Sequence, residues 1–227
     1  MNVLDSLKGG LVVSCQALPH EPLHSSFIMS KMALAAVLGG AKGIRANTVE
    51  DIEAIRKEVN VPIIGIIKQE YDNNPIFITP TLKEVTALVN INVDILAVDT
   101  TRRIRPDGLT TQEFLQVIKE TFPNVLIMGD CADEEDVLLA MEYCDCIGTT
   151  LYGYTDYTKN CNIADNDFDY FKQVVKLSSK PVIAEGNIDT PEKARKCLEF
   201  GAWCVVVGGA ITRPLEITEK FIAAISS

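Results

Sequence analysis

Histidine is scarce in this 227-residue chain, positive charge is in deficit, and no apolar run approaches the roughly 20 residues of a membrane-spanning helix. The only two histidines, His20 and His24, flank Glu21-Pro22 with no third ligand of suitable type nearby, so no metal site is expected. A formal net charge of −10 excludes the basic surface that nucleic acid requires, and an anionic ligand must be held by local donors. Met1 to Lys8 lacks the basic-then-apolar order of a secretory signal, so a cytoplasmic protein without membrane attachment is expected. The seven cysteines form no CxxC pair and are odd in number. Several lie in apolar runs such as Cys204-Val-Val-Val207, where a reduced thiol serves as a small core residue.

Linkers and low-complexity stretches are also missing, which points to a single domain spanning residues 1–227. Short β-rich runs alternate with segments of helical period throughout. The strands are expected at 11–16, 43–46, 62–68, 94–99, 125–130, 146–150, 181–185 and 204–207. Eight strand–helix units in a chain of this length predict an α/β fold, a single (β/α)8 TIM barrel. A doubly wound open sheet would stop at five or six strands and carry a glycine fingerprint after the first. Ser14-Cys-Gln-Ala has none.

In such a barrel the chemistry gathers at the C-terminal ends of the strands. Gln16, Arg45, Lys68, Asp99, Asp130 and Glu185 close strands one, two, three, four, five and seven. Lys68 leaves the apolar strand Ile63-Ile-Gly-Ile-Ile67, so partial desolvation should lower its pKa and make it a base. Glu185 ends Pro181-Val-Ile-Ala on the strand opposite. An amine facing a carboxyl across the mouth suits proton transfer beside a carbonyl and stabilisation of the resulting enediolate. Lys68 reaching out to solvent and Glu185 acting as a plain ion-pair partner are the alternatives. Gly186-Asn187 and Gly208-Gly209-Ala210 follow strands seven and eight, where barrels hold sugar phosphates, and Arg213 adds a two-pronged charge.

These residues lie in segments that resemble the N-acetylmannosamine-6-phosphate 2-epimerases (N-acylglucosamine-6-phosphate 2-epimerases) of bacterial sialic acid catabolism. The segments are Val13–Pro19, Glu21–Met29, Gly43–Asn47, Pro62–Lys68, Gly148–Thr155, Val182–Asn187 and Val206–Pro214. The resemblance implies a cofactor-independent isomerase acting on a small-molecule sugar phosphate. It would interconvert N-acetylmannosamine 6-phosphate and N-acetylglucosamine 6-phosphate by removing and returning the proton at carbon 2 of the open-chain sugar. It implies Lys68 as acid/base and Glu185 as the group that protonates or polarises the carbonyl oxygen. Gln16, Arg45, Asp99, Asp130 and Tyr154 would contact the sugar, and Gly186, Asn187, Gly208, Gly209 and Arg213 its phosphate. Met128-Gly-Asp130 stands where Met-Ala-Asp is usual, and Asp99 precedes Thr100 where alanine is common; both carboxylates are kept.

Two other readings of the same residues stay open at this point. Lys68 suits a Schiff-base aldolase, and the barrel suits a non-catalytic sensor of sugar phosphate. The apolar run Phe221–Ile225 in the last helix packs on the barrel or pairs two copies as a homodimer.

Overall fold

A computed structural model describes residues 2–226. Eight parallel strands close on themselves in chain order: β1 Leu11–Cys15, β2 Gly43–Asn47, β3 Ile63–Ile66, β4 Ile95–Asp99, β5 Ile127–Asp130, β6 Cys146–Gly148, β7 Val182–Ala184 and β8 Cys204–Val207. β1 pairs with β8 through Val12↔Val206, which completes the ring. The protein is a (β/α)8 TIM barrel.

Helices follow the strands: α2 Ser26–Leu38, α3 Val49–Arg56, α4 Leu82–Asn90, α5 Thr111–Thr121, α6 Glu134–Tyr143, α7 Asp165–Leu177 and α8 Pro191–Glu199. After β8 come a four-residue α9, Gly209–Thr212, and the last helix, α10 Pro214–Ile225. Local chemistry explains where several begin. Thr81 with Glu84, and Thr110 with Glu113, form reciprocal capping boxes, and Thr190 caps α8 ahead of Pro191 at its first position. In α7, Asn166, Asp167 and Phe168 have positive φ, so regular right-handed turns start only after them.

Alternation of period two divides the strands between two cores. Val12, Ile64, Ile66, Ile95, Met128, Cys146, Ile183 and Cys204 fill the barrel interior, while Ile44, Leu96, Ile147 and Val205 pack outward with the helices. A short helix not expected from the sequence, α1 Val3–Leu7, adds Leu4 and Leu7 to the interior core. It is held there by the Trp203 Nε1–H bond to the Leu4 carbonyl, 2.7 Å. All seven cysteines are unpaired, and six are buried. Burial pushes the Cys15, Cys197 and Cys204 thiols up to about 12, so they act as small core residues.

Candidate active site

The same alternation that seats the interior residues aims the next ones at the mouth. Counting by twos from Val12, Ile64, Met128 and Ile183 reaches Ser14 and Gln16, Lys68, Asp130 and Glu185, all at the C-terminal end of the barrel. Strands β1, β3, β6 and β7 stop one or two residues earlier than the sequence suggests, so Gln16 and Glu185 are the first residues past β1 and β7, and Lys68 is the second past β3.

Specific backbone contacts hold those residues in place. The Lys68 N–H donates to Asn47 Oδ1 on β2, 2.8 Å, and Lys68 bridges antiparallel to Ile78. Thr149 clasps Glu185 by its main chain: the Glu185 N–H donates to Thr149 Oγ1, 3.0 Å, and that hydroxyl donates to the Glu185 carbonyl, 2.8 Å. A cavity of about 320 Å³ opens at the mouth, and Lys68 and Glu185 line it from opposite sides of the ring together with Gln16 and Arg45.

Beneath the cavity Arg45 organises the negative charge. It donates from Nη1 to Asp130 Oδ1 (3.1 Å) and Glu185 Oε2 (2.9 Å), and from Nη2 to Asp130 Oδ2 (2.6 Å). Burial works against its charge, but the two carboxylates outweigh that and raise its pKa above the usual arginine range. Asp130 does not line the cavity. It accepts from Thr150 Oγ1 at 2.6 Å and acts through Arg45 and Thr150, which do line it.

The two candidate proton carriers are moved toward neutrality from opposite directions. Burial, aided by the Arg45 and Arg213 charges, brings the Lys68 ammonium down to about 8. Burial, with Asp130 adding repulsion against the pull of Arg45, brings the Glu185 carboxyl up to about 7. A neutral amine and a neutral carboxylic acid are therefore both accessible near neutral pH.

The rim carries the glycine turns and Arg213. Gly186 and Asn187 both have positive φ, 103° and 54°, making a sharp turn after β7 that suits glycine. Gly208, Gly209 and Arg213 border the same cavity from the β8 side. Tyr154 also borders it, its hydroxyl donating to Asn187 Oδ1 at 3.2 Å. Gln16 donates from Nε2 to Ser14 Oγ, 2.8 Å, while its buried Oε1 has no partner among the described residues.

Asp99, like Asp130, stays outside the cavity, and unlike Asp130 it bonds to no side chain that lines it. It has the correct parity, yet its carboxylate is fully buried and does not reach the cavity. Oδ1 accepts from the Thr101 N–H (2.9 Å) and hydroxyl (2.6 Å), and Oδ2 pairs with Arg103 Nη2 at 2.7 Å. The reason lies in the long segment after β3. Ile78 bridges Lys68 on one side and accepts the Asp99 N–H on the other, so this segment wedges between the tops of β3 and β4 and puts Ile78 at the cavity wall.

Comparison with known proteins shows the family of the chain. The family model "Putative N-acetylmannosamine-6-phosphate epimerase" matches residues 29–227. The chain belongs to the N-acetylmannosamine-6-phosphate epimerase family. It is 58% identical over 221 residues to a relative from Listeria monocytogenes, covering 97% of this chain and 93% of the relative. It is 54% identical over 227 residues to one from Enterobacter sp. strain 638, covering 99% and 96%. Both are named "Putative N-acetylmannosamine-6-phosphate 2-epimerase". The solved structure of the N-acetylmannosamine-6-phosphate 2-epimerase from Clostridium perfringens matches with a TM-score of 0.92 at 46% identity, covering 99% of this chain and 96% of that one.

Several residues of the epimerase-family cavity escape a reading that looks only at charged strand ends. Ser14 and Thr150 line it as small hydroxyls, and Glu216 and Lys220 reach it from α10. The signal for the first two was parity and position after β6. For the α10 pair no local signal exists, because a Glu and a Lys four apart read as an ordinary exposed helix face.

Proposed function

We infer that this chain interconverts N-acetylmannosamine 6-phosphate and N-acetylglucosamine 6-phosphate, as an isomerase of amino-sugar and sialic acid catabolism, within one catalytic domain. The observation that carries this reading is that Lys68 and Glu185, from opposite strands, share one cavity whose rim is made by the glycine turns after β7 and β8.

The open-chain sugar lies across the mouth with its phosphate toward Gly186, Asn187, Gly208, Gly209 and Arg213. Neutral Lys68 takes the proton from carbon 2, which is acidic only while carbon 1 is an aldehyde. Glu185 gives its proton to the aldehyde oxygen as charge develops there, so the intermediate is a neutral enol rather than an exposed enolate. Arg45 holds the Glu185 carboxylate that remains and keeps it aimed, with Asp130 balancing the arginine charge. The Lys68 ammonium then returns a proton to the opposite face of carbon 2 and the enol hydroxyl returns its proton to Glu185, which completes the inversion and restores both groups. Gln16 and Tyr154 orient the sugar. The lysine and the carboxyl supply proton transfer themselves, and no cofactor enters this scheme.

Incubation with the mannose-configured substrate in deuterated water tests the reading. The gluco product should form with deuterium at carbon 2, and Lys68→Ala should lose both product and exchange. Covalent labelling of Lys68 by borohydride in the presence of substrate would instead support a Schiff-base enzyme. Tight binding of substrate without product or exchange would support a sensor.

A further inference from the structure

We propose that Glu216 competes with the 6-phosphate of the substrate for Arg213, so that the phosphate seat carries its own exchangeable carboxylate. This deepens the reading of the cavity given above and rests on it for the identity of the phosphate.

Arg213 is gripped by two carboxylates of different character. Glu21 Oε1 meets Arg213 Nε at 2.9 Å, and its other oxygen accepts the Leu18 N–H at 2.5 Å. Glu21 is thus tied at both ends and only 17% exposed. Glu216 Oε1 accepts from Arg213 Nη1, also at 2.9 Å, but its side chain is 45% exposed. Glu216 stands in the first turn of α10, free to rotate into solvent.

The second oxygen of Glu216 marks the place. It rests directly on Gly209, where an added Cβ would come within 2.3 Å of it. One carboxylate therefore spans the arginine and the glycine of the β8 loop, the same pair of features that suits a phosphate. A phosphate and a carboxylate seek the same planar donors, and two anions cannot share one guanidinium edge without repulsion. Glu21 is fixed, so Glu216 is the one that yields. Lys220 lies four residues on along α10 and borders the same cavity; its ammonium, 3.6 Å from Asp189 Oδ2, is the neighbouring cation that the released carboxylate would share. The consequence is a seat in which Arg213 is held ready at the cost of some phosphate affinity.

The test measures the inhibition constant and calorimetric Kd of inorganic phosphate, and KM for N-acetylmannosamine 6-phosphate, in the wild type and in Glu216→Gln. Glu216→Gln should tighten phosphate and lower KM by the same factor, about 2–5-fold for an ion pair of this exposure, with the change carried by KM rather than kcat. The same substitution placed on Arg213→Ala should have no effect on phosphate, because the contested partner is gone. Weaker or unchanged phosphate binding in Glu216→Gln overturns the proposal and leaves Glu216 a mere support for Arg213. Since phosphate binding is read without turnover, a protein that fails to epimerise but still shows the affinity gain refutes the catalytic reading alone.

Discussion

Arg45 and Asp130 meet in a two-pronged ion pair at the floor of the mouth, 3.1 and 2.6 Å long, with the arginine side chain 1% exposed and the aspartate 0%. Two charges withdrawn from water in this way are tolerable only together. Asp130→Asn should lower unfolding free energy by about 3–5 kcal/mol, because it leaves a buried guanidinium with less compensation. Urea unfolding with an unchanged slope checks this. A loss under about 1 kcal/mol would mean that Glu185 alone neutralises Arg45.

Lys68→Ala should reduce kcat by about 10²–10⁴-fold, the range for loss of a positioned acid/base, while the unfolding midpoint stays close to that of the wild type. The side chain lines a cavity rather than a packed core, so little cohesion is lost. Rates of product formation and of deuterium uptake at carbon 2 should fall together.

The pH dependence follows from the two shifted groups. Catalysis needs Lys68 without its proton and Glu185 with its own, yet Lys68 titrates at about 8 and Glu185 at about 7. The active form is therefore the minor one, in which the group of lower pKa holds the proton. Below 7 the rate rises with pH as Lys68 deprotonates; between 7 and 8 that gain is cancelled by ionisation of Glu185; above 8 only the loss continues. The kcat/KM profile should be a bell with a narrow top from about 7 to about 8. Glu185→Gln should abolish the alkaline limb and move the break of the acid limb up toward 8, in its residual activity. A profile of unchanged shape in that variant would remove Glu185 from the acid role.

Asp99→Asn offers a contrast. Because its carboxylate is spent on Thr101 and Arg103 beneath the wedge formed by Ile78, the change should cost roughly 1–3 kcal/mol of stability and leave kcat/KM within about threefold. A large drop in kcat/KM at full stability would restore Asp99 to the substrate's neighbours.

The contrast between Asp99 and Asp130 shows how far strand parity carries. Both end their strands on the interior face and are register partners across β4 and β5. Nothing local separates them. Both carboxylates are buried, but residues 76–79 insert between β3 and β4 and cut Asp99 off from the cavity, while Asp130 joins it through Arg45 and Thr150. Glu216 is legible in neither parity nor motif, because it reaches the cavity only through the path of α10 across the end of β8.

By itself the sequence determined the eight-fold alternation of strand and helix, the burial of the thiols, and the polar residues that leave the strands with interior parity. It could do so because hydrophobic period and turn chemistry are local. The family resemblance, too, was carried by contiguous segments. The tertiary structure alone decided which of those residues meet, since ring closure and the loop after β3 join positions far apart in the chain. It paired Arg45 with Asp130, withdrew Asp99, and brought Glu216 to Arg213 over Gly209, through burial and charge that no local stretch encodes.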